Sequence, residues 1–305
     1  MINEIQLNNG VLIPCIGIGP GIPNIGYRDL KSNIHIIELG IKGYQKFFVR
    51  PKLYHTYVNA IAHSFQVGFR LLDFSSSYGD GTLIGKAIKQ SGVEREKLFL
   101  TTRVSNQAQR TGKVRECLFQ QLKGMKTDYI DLFMFHWPVT DLYLDTWEQM
   151  VQLYKEGYCR ALGVANCHKH HLETLKSISS IIPVINQIEV HPLFTQKPLI
   201  EYCKNCGIHI EAYTPIARMD DRLIRLPLLK RISEKYQKTI VQIILRWHIQ
   251  NGIVPVIRSL NEKRQLENIS IFDFELSREE LVAIDSININ SRLRYDPDNC
   301  DFSIL

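Results

Sequence analysis

The stretch Gly68-Phe69-Arg70-Leu71-Leu72-Asp73-Phe74-Ser75-Ser76-Ser77-Tyr78 decides the fold that the sequence predicts. Its apolar first half is typical of a buried strand, and its serine-rich second half is typical of the loop that follows a strand. Two later apolar runs also end in one polar residue, Arg103 in the first and His136 in the second. Functional side chains of parallel α/β folds gather at the carboxyl ends of the strands, so we expect these residues to meet there.

Eight apolar runs of this kind alternate with amphipathic stretches along the chain. The predicted strands are Cys15–Gly19, Phe69–Asp73, Leu98–Arg103, Leu132–His136, Arg160–Val164, Val184–Glu189, His209–Tyr213 and Val254–Ile257. Examples of the predicted helices are Lys52–Gln66, Val114–Lys123, Thr146–Lys155 and Pro227–Tyr236. This alternation predicts an α/β fold, a closed (β/α)8 TIM barrel. The turn sequence Asn8-Asn9-Gly10 lies between two short apolar runs and predicts an N-terminal β-hairpin.

The bulk composition indicates a soluble globular protein that forms one domain over residues 1–305. Of its 305 residues, 45% are hydrophobic and 22% are charged, and no linker-like segment divides the chain. The net charge of +6 is modest and no dense basic run occurs, so we expect no nucleic-acid partner. No apolar stretch is long enough to span a membrane. The seven cysteines are scattered and no signal peptide is evident, which predicts reduced thiols and a cytoplasmic location.

Two segments lie outside the regular alternation. Residues 20–50 form an enlarged first βα loop, which is either a surface elaboration or a lid over the site, because βα loops lie at the catalytic end of a barrel. Residues 291–305 form a C-terminal tail.

With these residues in view, the chain resembles the aldo-keto reductases. Members of that family carry an aspartate, a tyrosine, a lysine and a histidine in this order and at this spacing, and Arg103 stands here at the position of the lysine. The resemblance implies that Asp73 pairs with Arg103 and that Tyr78 donates a proton. It also implies that His136 orients a substrate carbonyl and that Trp137 lines the pocket. The implied activity is the reduction of an aldehyde or ketone by hydride transfer.

The same resemblance implies a cofactor site for NADP(H) at the end of the eighth strand. Val254-Pro255-Val256-Ile257-Arg258-Ser259, followed by Arg264 and Asn268, is similar to the family segment that binds the adenosine 2′-phosphate. Guanidinium groups and a hydroxyl at a helix N-terminus suit a phosphate. The resemblance further implies that Asn166 and Gln187 hold the nicotinamide amide and that Tyr213 stacks on the nicotinamide ring.

Arg103 leaves a second interpretation open. Arginine keeps a positive charge that can stabilise a tyrosinate, but it does not release a proton, and its planar guanidinium favours a bidentate grip on Asp73. The alternative is therefore an NADP(H)-binding sensor or regulatory protein with weak or no catalysis. The retention of Asp73, Tyr78 and His136 favours the enzyme.

Three further expectations concern ligands and assembly. His168, His170 and His171 open a helix without a carboxylate partner nearby, so we predict solvated histidines and no metal site. Basic and aromatic residues in 20–50 suit a polar or anionic carbonyl compound, such as a sugar derivative. We expect a monomer, as many barrels of the family are.

Overall fold

A computed structural model describes residues 3–19, 50–75 and 81–302. Eight parallel strands form a closed barrel in the order β10-β3-β4-β5-β6-β7-β8-β9. The barrel strands are β3 (Gly17–Ile18), β4 (Leu71–Asp73), β5 (Phe99–Val104), β6 (Ile130–Phe135), β7 (Cys159–Ala165), β8 (Ile185–Glu189), β9 (His209–Tyr213) and β10 (Ile253–Ile257). The predicted (β/α)8 TIM barrel is confirmed, and each predicted strand overlaps one of these eight.

Twelve α-helices occur in the described ranges, and most of them cover the outside of the barrel. They are α1 (Arg50–Gln66), α2 (Gly81–Ser91), α3 (Asn106–Thr111), α4 (Val114–Met125), α5 (Tyr143–Lys155), α6 (Lys169–Ile178), α7 (Lys197–Asn205), α8 (Asp221–Ile224), α9 (Pro227–Tyr236), α10 (Ile240–Gln250), α11 (Glu262–Ile269) and α12 (Arg278–Asp285). In the part of the chain that these ranges cover, no helix has the length and apolar character needed to cross a bilayer.

The predicted N-terminal hairpin is present as a separate two-stranded sheet. Strand β1 (Glu4–Gln6) pairs with β2 (Leu12–Pro14) in antiparallel register, with Ile5 opposite Ile13. Gly10 adopts a φ of 86°, which a glycine can take without steric cost. Leu7 and Ile13 pack in an apolar cluster with inward-facing barrel residues such as Leu132, so the hairpin is fixed to the barrel interior.

Burial on both faces explains why the strand sequences lack an in/out alternation. All six residues of β5 and all six of β6 are buried. One set of side chains packs under the surrounding helices and the other fills the barrel interior. The polar exceptions among these strands are therefore informative, because a buried charged group needs a partner.

Of the two segments outside the regular alternation, the structure describes the C-terminal tail but not residues 20–49. Residues 20–49 lie outside the described residues, so the choice between a lid and a surface elaboration for 20–50 stays a prediction. The tail is described as far as Phe302 and runs along the carboxyl end of the barrel. Its Ile289 and Ser291 amides donate to the Leu193 carbonyl, and the Leu293 and Arg294 amides donate to the Glu189 carboxylate.

Candidate active site

A cavity of about 310 Å³ opens at the carboxyl ends of the barrel strands. Its size suits a small-molecule ligand. The lining includes eight of the site residues predicted from the sequence, together with others that the sequence did not reveal. The lining residues are Gly19, Asp73, Arg103, His136, Trp137, Asn166, Gln187, Tyr213, Thr214, Arg218, Val256, Arg258 and Arg294.

Asp73 and Arg103 form a buried ion pair at the base of this cavity. Asp73 ends β4, Arg103 lies near the end of β5, and the two side chains are 7% and 2% exposed. The Nη2 atom of Arg103 donates to both carboxylate oxygens of Asp73 and to Oε1 of Gln187, the latter at 2.7 Å. The predicted pairing of Asp73 with Arg103 is thus present in the geometry, and Gln187 joins it.

Gln187 connects this pair to a second buried acid, Glu211, on β9. The Gln187 Nε2 atom donates to Asp73 Oδ2 at 3.1 Å and to Glu211 Oε1. Burial, and next the charge of Asp73, raise the pKa of Glu211 to about 8. Glu211 is therefore largely protonated and neutral near pH 7, which limits the negative charge around Arg103. The sequence signal for this group was a lone acid inside an apolar strand.

His136 directly follows β6 and presents its imidazole to the cavity beside Trp137. Burial, followed by the positive charges of Arg103 and Arg294, lowers the pKa of His136 to about 3. The ring is therefore neutral at physiological pH and can donate one hydrogen bond to a carbonyl oxygen. Trp137 is 3% exposed, and its backbone carbonyl accepts from Gln109 Nε2 at 3.0 Å, which fixes the loop.

Asn166 and Tyr213 lie together in the lining of the cavity. Asn166 follows β7 with a φ of 61°, and its Nδ2 donates to the His136 carbonyl at 3.0 Å. The Tyr213 hydroxyl donates to Asn166 Oδ1 at 2.7 Å. Asn166 and Gln187 thus both have internal partners, so binding the nicotinamide amide would require some of these hydrogen bonds to exchange.

The predicted phosphate-binding residues lie around the end of β10 and the start of α11. Arg258 and Arg264 are exposed, and neither guanidinium has an ion-pair partner among the residues that the structure describes. Ser259 is half-buried and its hydroxyl bonds with Asn261, which caps α11 by accepting from the Arg264 amide at 3.0 Å. Asn268 is buried in the second turn of α11, near its C-terminal end. Arg258 reaches the cavity, whereas Ser259, Arg264 and Asn268 lie outside its lining.

Tyr78 lies outside the described residues, so its predicted role as the proton donor stays a prediction. It follows Asp73 by five positions in the sequence. The described ends of β4, β5 and β6 nonetheless bring Asp73, Arg103 and His136 to one cavity.

Two arginines of the cavity had no signal in the sequence. Arg218 lies in a turn after β9 where Ala217, Arg218 and Met219 all have positive φ values, of 48°, 54° and 61°. Arg294 lies in the tail, which has no periodicity. Strained backbone at three consecutive positions is uncommon outside functional sites, and neither segment's path can be deduced from local sequence.

The three histidines at the start of α6 have a carboxylate neighbour, contrary to the reasoning from sequence. Asp298 of the tail lies 2.6 Å from His168 Nδ1 and 3.3 Å from His170 Nε2. His171 Nδ1 accepts the His168 backbone amide at 3.1 Å, and its Nε2 lies 3.7 Å from Asp298. His168 Nε2 lies 3.4 Å from Arg292, which can only donate. Asp298 and Arg292 thus fasten the tail to the start of α6 through hydrogen bonds with these histidines.

A barrel of this topology with its polar cavity at the carboxyl end belongs to the class of TIM-barrel enzymes. Comparison with protein-family models gives the particular family. The chain belongs to the aldo/keto reductase family, whose model matches residues 43–289. The resemblance seen in the sequence is confirmed.

Characterised relatives and solved structures agree with this assignment. A glyoxal reductase of Bacillus subtilis is 42% identical over 300 residues, covering 98% of each chain. A methylglyoxal reductase of Escherichia coli is 37% identical over 243 residues, covering 79% of this chain and 88% of the relative. An aldo-keto reductase of Bombyx mori, solved in complex with NADP, superposes with a TM-score of 0.83 at 32% identity and covers 98% of this chain and 96% of that chain.

Proposed function

We propose that the protein is an NADP(H)-dependent reductase that converts an aldehyde or a ketone to an alcohol. The observation that carries the proposal is the convergence of Asp73, Arg103 and a neutral His136 on one cavity, in a chain of the aldo/keto reductase family. Similarity to a glyoxal and a methylglyoxal reductase supports a small carbonyl compound as substrate. A sugar derivative stays a prediction.

The residues around the cavity fit NADP(H). Arg258 and Arg264 offer positive charge for the 2′-phosphate, Arg218 offers a third guanidinium at the cavity, and Tyr213 offers an aromatic face. Two buried amides, Asn166 and Gln187, offer donors and acceptors for the nicotinamide carboxamide. When bound, the reduced cofactor supplies a hydride to the carbonyl carbon.

Side chains of the protein then stabilise the negative charge that develops on the carbonyl oxygen. In this proposal His136 donates a hydrogen bond to that oxygen, and Tyr78 delivers the proton that completes the alcohol. A phenol has an ordinary pKa of about 10, so it needs a nearby positive charge to act near pH 7. Arg103 is proposed to supply that charge, with Asp73 and Gln187 fixing its position.

The direct test is NADPH oxidation with glyoxal, methylglyoxal and a sugar aldehyde, for the wild type and for Tyr78→Phe. General acid catalysis typically contributes about 10²- to 10⁴-fold, so the variant should lose turnover on that scale. NADPH binding, followed by fluorescence, serves as the control and should be retained. Full activity in Tyr78→Phe would refute the assigned role.

Arg103 supports a second candidate, an NADP(H)-binding sensor or regulatory protein with little catalysis. Its Nη2 atom is directed at Asp73 and Gln187, and arginine stays charged and does not give up a proton under ordinary conditions. Tight NADPH binding with no turnover on any carbonyl of a broad panel would favour this candidate over the enzyme.

A further inference from the structure

The charges that line the cavity are unbalanced. Among the described residues of its lining, four are arginines, at positions 103, 218, 258 and 294, and one, Asp73, carries a carboxylate. The Asp73 carboxylate is already paired with Arg103. His136 is neutral near pH 7, and Glu211 lies below the lining with a raised pKa. The cavity therefore carries excess positive charge.

The cofactor accounts for only part of this excess in the proposed function. Arg258 lies at the end of β10, beside the predicted site of the 2′-phosphate, and Arg218 lies in the turn after β9. Arg294 comes from a different direction, because it belongs to the tail that crosses the His136 and Trp137 side of the cavity. Its charge is close enough to His136 to lower the pKa of that ring.

Arg294 is held at the cavity by its own backbone. The Leu293 and Arg294 amides donate to Glu189, at 2.6 Å and 2.9 Å, and Glu189 is buried at the end of β8. Farther along the tail, the ring of Phe302 lies 6.2 Å from that of Trp137. The tail therefore covers the cavity next to the two residues predicted to contact the carbonyl compound.

The guanidinium of Arg294 has no carboxylate partner within the described part of the chain. Its Cζ atom lies 5.6 Å from the centroid of the Tyr295 ring. By contrast, the neighbouring Arg292 lies 3.6 Å from Asp296, faces His168 and stacks 4.7 Å above the Phe194 ring. A half-buried cation without a partner in a ligand cavity is a site for an anion.

We propose that Arg294 is a specificity-determining residue that binds the carboxylate of the substrate, so that the preferred substrates are aldehydes or ketones bearing a carboxylate group. This inference rests on the proposed function and adds the substrate class. A guanidinium can hold a carboxylate through two parallel hydrogen bonds, which fixes the substrate's orientation as well as its affinity. The carbonyl group of the same molecule then faces His136.

The test compares substrates that differ only in the charge. Succinic semialdehyde is compared with its methyl ester, and 4-carboxybenzaldehyde with methyl 4-formylbenzoate, by kcat/KM under saturating NADPH. The wild type should favour each acid over its ester by about tenfold or more, which corresponds to about 1.4 kcal/mol. In Arg294→Gln this ratio should fall to about one, and in Arg294→Lys it should be largely retained. Arg292→Gln, which changes a tail arginine directed away from the cavity, should keep the wild-type ratio.

A binding measurement separates recognition from turnover. Benzoate and benzamide are titrated into the enzyme saturated with NADP⁺, and benzoate should bind more tightly to the wild type but not to Arg294→Gln. Equal kcat/KM values for acids and esters in the wild type would overturn the inference and leave the reductase intact. A preference for acids that survives in Arg294→Gln would also overturn it. If neither acids nor esters are reduced although NADPH binds, the proposed function itself fails.

Discussion

Glu189 is the buried acid that fastens the tail to the barrel, and its replacement by glutamine tests how the tail is held. The side chain is 1% exposed, and its carboxylate accepts from the Leu293 amide, the Arg294 amide and His191 Nε2 at 2.6, 2.9 and 2.9 Å. Burial alone would raise the pKa of Glu189, but the hydrogen bonds from His191 and the tail amides lower it. The group is therefore an anion with three donors.

Glutamine has the same shape but replaces one accepting oxygen with an NH₂ donor. At least one of the three donors then loses its acceptor and faces another donor. A hydrogen bond to a charged group contributes about 1.5–3 kcal/mol, and leaving a buried donor unsatisfied costs about 1–3 kcal/mol. Since the released tail can recover hydrogen bonds to water, we expect a net loss of about 2–4 kcal/mol in the free energy that holds the tail.

Hydrogen exchange of the tail amides measures this loss directly. About 1.4 kcal/mol corresponds to a factor of ten, so the amides of Leu293 and Arg294 should exchange roughly 30- to 1000-fold faster in Glu189→Gln. The KM for a carboxylate-bearing aldehyde should rise in the same variant, because Arg294 is no longer fixed. Glu201→Gln, an exposed site on α7, is the matched control. Unchanged exchange at Leu293 and Arg294 would show that the carboxylate does not hold the tail.

Three other predictions concern the ion pair, a close helix contact and a buried histidine. Arg103→Lys should raise the turnover number for a neutral aldehyde, because lysine relaxes the grip on Asp73; a fall in steady-state kcat would contradict this. Gly85→Ala should destabilise the fold by about 1–3 kcal/mol, since the new Cβ would lie 2.7 Å from the Gly124 carbonyl oxygen; an unchanged urea midpoint would refute it. Burial lowers the pKa of His248 to about 3 in the folded protein, whereas the same imidazole has a pKa of about 6.5 in the unfolded chain. As the pH falls below about 6.5, the unfolded chain therefore binds a proton at His248 that the folded protein does not bind. Stability should therefore decline from there towards pH 4, and His248→Gln should decline less steeply in urea titrations.

Much of the barrel could be read from the sequence because its strands are short, apolar and evenly interrupted. The boundaries of His209–Tyr213 and of the helix Pro227–Tyr236 were predicted without error, and the other strands differ by at most two residues at either end. Strand ends are local features. A polar residue such as Asp73 or His136 that terminates an apolar run therefore marks the edge of the sheet directly.

The features of the site that the sequence did not predict depend on contacts between residues far apart in the chain. Arg294 reaches the cavity because Glu189, 105 positions earlier, binds its amide. Likewise Asp298 meets His168 across 130 positions, so the carboxylate beside the histidines could not be seen from neighbouring residues. Glu211 was visible as an acid in an apolar strand, but its partner Gln187 follows from the register between β8 and β9.

The polar network at the base of the cavity divides along the two halves of the barrel. Asp73 and Arg103 belong to β4 and β5 in the first half, whereas Gln187 and Glu211 belong to β8 and β9 in the second. Each half thus contains its own acid and that acid's partner, and the contacts from Gln187 to Arg103 and Asp73 join the halves. A chain cut between β6 and β7 would give two fragments, each of which keeps its buried acid and the partner of that acid. When the fragments reassociate, only the contacts from Gln187 to Arg103 and Asp73 would have to form anew within the network. Because these joining contacts need both fragments in the correct register, their formation would report that the fragments had docked correctly.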